Sequence, residues 1–88
     1  MSAFEDRKAR NVEKADAALA KAESRLETAM EKYDREVAIH EERGDGFFST
    51  SYLLARREAV LARKFTEAKR SALATARAEL AAARLGDL

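Results

Sequence analysis

The chain has no cysteine, no proline and no tryptophan, and only three glycines in 88 residues. Without cysteine there is no disulfide framework, thiol nucleophile or thiolate metal ligand. Without proline nothing forces a helix to break, so one helical pattern can run for tens of residues. No stretch approaches the roughly 18 apolar residues of a membrane span. The opening Met1-Ser2-Ala3-Phe4-Glu5-Asp6 carries no apolar signal core. A cytoplasmic chain without membrane contact is the expectation. Aromatics make up 7% and there is a single histidine, which leaves little for base stacking or acid–base chemistry.

What remains is charge and alanine. Charged residues account for 38% and the hydrophobic set for 47%, with a net charge of +1. This mixture of Ala, Glu, Lys, Leu and Arg belongs to long helices and coiled coils. Two of the three glycines fall in Arg43-Gly44-Asp45-Gly46-Phe47-Phe48-Ser49-Thr50-Ser51, midway between two long helical patterns. The expected architecture is all-α: a coiled-coil-like, two-helix antiparallel hairpin forming one domain over residues 1–88. Helices are expected over 3–43 and 49–85, with a turn at 44–48.

On the first helix, Ser2 and Glu5 have capping-box spacing. Val12, Leu19, Leu26, Tyr33 and His40 recur every seven residues, with Ala15, Ala22 and Ala29 three places after the first three. Large residues alternating with alanine in this way form a helix-pairing seam, which Met30 and Val37 widen. Gly44 is suited to the left-handed conformation that ends a helix. Ser49 is the expected N-cap of the second helix, with Phe48 and Leu53 placed as a hydrophobic staple. The second helix offers Leu54, Leu61, Phe65, Ala68, Ala72, Ala76, Leu80 and Ala83 as its stripe. Its drift to steps of four predicts a nearly straight helix. Pairing numbers that sum to about 94 sets large residues against small ones at most layers, as with Leu26 on Ala68 and Ala29 on Phe65.

A lone hairpin of this kind would leave apolar side chains in water around its tip. Ile39, Phe47, Phe48, Tyr52, Leu53 and Val60 are the expected partner-binding residues, and a homodimer forming a four-helix bundle is the expected assembly. Two charged rows accompany them. Arg56, Arg63, Arg70, Arg77 and Arg84 recur every seven residues, as do Asp6, Glu13, Glu27, Asp34 and Glu41, broken only by Ala20. Residues 49–85 hold eight Lys/Arg against three Asp/Glu, whereas 2–43 hold nine against eleven. Both rows are expected to point away from the seam. They would form a solvated face or an intersubunit stripe or, in the alternative, the arginines would track a nucleic-acid backbone. Glu58, Glu67 and Glu79 interrupt the basic helix, and no glycine-rich phosphate loop accompanies it.

No motif points to catalysis. Glu36 and His40 are four apart, one residue longer than the Glu-x-x-His of ferritin-like diiron bundles, so no metal site is expected. The Trp-x-Gly turn of small hairpin secretion substrates is missing. Arg43-Gly44-Asp45 spells an adhesion tripeptide, but chain reversal accounts for all three residues. Ser49, Thr50, Ser51, Tyr33 and Tyr52 have no base partner other than the distant His40, so capping and packing explain them better than nucleophilic roles. The expectation is a non-enzymatic, self-associating hairpin without cofactor or small-molecule substrate, binding another protein. A small accessory protein, phage-type regulator, adaptor or assembly factor would fit.

Overall fold

The computed structural model describes residues 2–44 and 49–86 and consists of two antiparallel helices. α1 spans Ala3–Arg43 and α2 spans Thr50–Gly86. The hairpin is 65 Å long and about 15 Å across, as a 41-residue helix rising about 1.5 Å per residue requires.

Local chemistry sets the ends. Ser2 is extended, and its hydroxyl accepts the Glu5 N–H at 3.1 Å, while Glu5 and Asp6 sit against the positive end of the helix dipole. Gly44 closes α1 at φ 70°, ψ 13°, its N–H donating to the Glu41 carbonyl. A Cβ at Gly44 would meet nothing within 4 Å, so backbone conformation alone calls for glycine there. Ser49 caps α2 by accepting the Tyr52 N–H at 3.2 Å. The proposed staple residue Phe48 lies outside the described residues.

The α1 seam follows its large-and-alanine pattern: Val12, Ala15, Leu19, Ala22, Leu26, Ala29, Tyr33 and His40 are buried or half-buried. The α2 seam corrects the expected stripe. Tyr52, Ala55, Ala59, Ala62, Thr66, Lys69, Leu73, Ala76, Leu80 and Ala83 face α1 in steps of three and four, whereas Leu54, Leu61, Phe65, Ala68 and Ala72 are exposed. Only Ala76, Leu80 and Ala83 belong to both sets. The step pattern has the period of a seven-residue repeat rather than the drift read from the large side chains.

The register is corrected with it. Lys8 bridges to Glu79, Lys32 to Glu58, Arg84 to Glu5, and Thr66 bonds to Ala22. These pairs sum to 87–90, so residues are level when their numbers add to about 88 and not 94. Small residues win the α2 seam because they let the backbones approach. At the centre, the fully buried Thr66 hydroxyl lies 2.8 Å from its own Ala62 carbonyl and 3.2 Å from the Ala22 carbonyl across the seam. A side chain that short reaches the opposite backbone only where alanine lines the contact.

One consequence is a thin core. Among the described residues Leu73 is the one large aliphatic side chain that is buried, at 5% exposure. The accessible surface is 6557 Å², roughly 1,400 Å² more than the ~5,200 Å² expected of a compact monomer of this mass.

Candidate interaction surface

The seam divides the hairpin surface into two flanks. On the first, a shallow apolar groove is lined by Ala22 and Arg25 of α1 with Leu61, Ala62 and Phe65 of α2. Ala18, Lys21 and Lys69 extend it. Phe4 and Ile39 of α1, a multiple of seven apart, and Leu54, Leu61 and Phe65 of α2, in steps of seven and four, lie along this flank, each between 39% and 54% exposed. The lysines do not bury the rings but roof them: Lys69 Nζ stands 4.9 Å from the Phe65 ring centre and Lys8 Nζ 5.2 Å from that of Phe4. Lys14, Lys21, Arg25 and Arg35 edge the groove along α1, while Lys32 is paired with Glu58, so the balance of its surroundings is positive.

On the second flank, Met30 and Tyr33 meet Arg56, Ala59, Val60 and Arg63. The Arg63 guanidinium sits 4.0 Å from Met30 Sδ, and Arg84 Nε 3.3 Å from a Glu5 carboxylate oxygen. The arginine row therefore borders the seam rather than pointing directly away from it. All five arginines remain exposed, as do Asp6, Glu13, Glu27, Asp34 and Glu41 on the same side of α1.

At the tip a polar clasp joins the helices. His40 is 3% exposed and its Nδ1 lies 2.7 Å from the Glu36 carbonyl. A carbonyl only accepts, so Nδ1 carries the proton, and in the neutral ring Nε2 accepts from the Ser49 hydroxyl. Ser51 stands 3.3 Å from Ser49 and donates to Glu36 Oε2 at 3.1 Å. The histidine that seemed remote from Ser49 in sequence is thus its direct partner. Ser49 is already committed as a helix cap, and the arrangement ties the end of α1 to the start of α2. Beside it the Tyr33 and Tyr52 hydroxyls are 3.3 Å apart. This hydrogen bond raises the Tyr52 phenol above its ordinary value; burial and the charge of Tyr33 add to it, and Arg56 pulls the other way.

The expected tip patch is therefore divided. Tyr52 turns into the seam against Tyr33 and His40. Ile39 lies on the first flank, while Leu53 and Val60 are exposed on the second. Phe47 and Phe48 lie outside the described residues. The residues missed as surface were Leu54, Leu61 and Phe65, which their size had assigned to the core. Among the described residues no three His, Asp or Glu side chains gather as a metal site, and no helix is long and apolar enough to cross a membrane. No protein-family model, curated protein or solved structure matches the chain.

Proposed function

We propose that this chain is a non-enzymatic, self-associating hairpin that works as a protein–protein interaction module. Its first-flank groove takes an amphipathic partner helix with acidic edges. One observation carries this: Leu54, Leu61 and Phe65 of α2 lie outside in helical spacing, while Ala55, Ala59, Ala62 and Thr66 hold the seam beside them. A contiguous apolar strip of this kind in water marks an interface. The positive surroundings of Leu61 and Phe65 select acid-edged helices over basic ones. The surface in excess of a compact monomer's exceeds the ~800 Å² per partner of a standard interface, which supports self-association. A small accessory, adaptor or assembly role, of the kind found in phage-type regulators, suits such a module.

The test compares wild type with Leu61→Glu/Phe65→Glu as bait in extracts of the native host. The expected result is a protein captured by wild type alone. Its binding segment, made as a peptide, should form an acid-edged helix on titration. Equal capture by both baits, or a captured segment that is basic or extended, would overturn the groove assignment.

A further inference from the structure

We propose that the second flank docks a second copy of this chain, related by a two-fold axis along the hairpin, with both tips at the same end. α1 of each copy then lies antiparallel on α2 of the other. This deepens the self-association reading and rests on it.

The rows on this flank are charged, exposed and almost unpaired within one chain. Among the described residues Asp6, Glu13, Glu27, Asp34 and Glu41 make no side-chain ion pair, and of the arginines only Arg84 does, with Glu5. Both rows lie on one side of the seam, the side on which Arg63 meets Met30.

A two-fold axis along the hairpin permits no axial slide, so the intramolecular register also sets the intermolecular one. Within a hairpin, residues whose numbers sum to about 88 are level. Asp6 with Arg84, Glu13 with Arg77, Glu27 with Arg63 and Asp34 with Arg56 each sum to 90. Each of these four acids of one copy thus stands within about 3 Å, along the axis, of an arginine of the other. The intervening positions obey the same sum: Met30 meets Val60, Val37 meets Leu53, and Ala9 meets Ala81. Acid–arginine and apolar–apolar contacts therefore alternate in one register. Four positions depart from it, since Glu23 meets Glu67, Arg70 meets Ala20, Asp16 meets Ala74 and Glu41 meets Ser49.

The other symmetric choice, with tips at opposite ends, lays α1 on α1 and α2 on α2. It sets arginine row against arginine row, and like charges suppress it. The first flank offers no such ladder, because its α1 row is basic and would face Leu54, Leu61 and Phe65. Orientation comes from the charges and affinity from the apolar contacts between them.

Two charge-reversed variants test this: Arg63→Glu/Arg77→Glu and Glu13→Arg/Glu27→Arg, all at exposed positions. Sedimentation velocity at low salt reads the mass, native mass spectrometry the composition, and circular dichroism the retained helicity. Wild type should be a dimer, and each variant alone should dimerise at least roughly tenfold more weakly, its acid or base rows now facing their like. An equimolar mixture should restore a dimer containing one of each, because every reversed row then meets its opposite. A dimeric wild type whose variants dimerise unchanged, or whose mixture stays monomeric, overturns this flank and leaves self-association standing. A wild type that is monomeric at hundreds of micromolar overturns both. If that monomer binds duplex DNA and Arg63→Glu/Arg77→Glu does not, the row belongs to phosphate.

Discussion

Replacing Leu73 with alanine tests the α2 seam directly when set beside the same change at Leu61. Leu73 is 5% exposed and Leu61 54%, on opposite sides of one helix. Truncating a buried leucine costs about 2–5 kcal/mol, from lost transfer energy plus the cavity left behind. Leu61 has no cavity to leave, and only about half of its side chain is shielded from water. Its truncation should cost under about 1 kcal/mol, partly offset by alanine's better helix propensity. A small domain holds about 0.05–0.15 kcal/mol per residue, so the Leu73 change removes a large share of the total. Its melting temperature should fall by roughly 10 °C or more, against a few degrees for Leu61→Ala. The assay is thermal and urea unfolding followed by circular dichroism over a range of chain concentrations. The range separates losses within the hairpin from losses in any assembly. Equal costs, or a larger cost at Leu61, would refute the alanine-lined seam and favour one built on Leu54, Leu61 and Phe65.

The remaining predictions concern the tip. Because the Tyr33 hydroxyl raises the Tyr52 phenol above 10.0, the folded state holds that proton more tightly than the unfolded one. The associated stability is intact below about pH 10 and is lost as pH rises through the folded-state value. Tyr33→Phe should bring the Tyr52 titration back towards 10.0, followed by tyrosinate absorbance. Ser49→Ala removes the α2 cap and a hydrogen bond to His40 Nε2, and should cost about 1–2 kcal/mol for the cap and about 0.5–1.5 kcal/mol for the hydrogen bond. Denaturant titration reads the sum. Gly44→Ala should cost about 1–2 kcal/mol through backbone strain alone, as a side chain there has open space.

The turn, the caps and the α1 seam were legible because each rests on a local rule. Gly44 and Ser2 occupy positions that few other residues fill as well, and Val12 to His40 combine size with a strict period. The α2 seam was misread because size and burial part company there. Leu54, Leu61 and Phe65 are large apolar side chains in the first half of α2, so they drew the stripe. Yet Ala55, Ala59, Ala62 and Thr66 hold an unbroken three-and-four step that matches Ala15, Ala22 and Ala29 on α1. That step was the available signal. Lys8 with Glu79 and Lys32 with Glu58 also fit the true register and not the expected one. Of the surface, the arginine and acid rows could be read directly, whereas the groove at Leu61 could not, because it exists only once α2 is rotated. The clasp between His40 and Ser49 needed the turn geometry, which spacing does not supply.

The left-handed glycine at position 44 does more than end a helix. Val12, Leu19, Leu26, Tyr33 and His40 keep a beat of seven that Leu54 and Leu61 continue beyond the turn. The hairpin interrupts that beat, since α2 packs on a different strip and leaves those leucines outside. Were the chain to run helically through Gly44, it would become a single arm about 125 Å long, with its bulky residues on one line. Two such arms laid head to tail would bury what the folded chain leaves wet. Such arm exchange is a hazard of substitutions at hinges. With Gly44→Ala, a species of double mass and nearly double length should appear in X-ray scattering, distinct from two hairpins lying side by side.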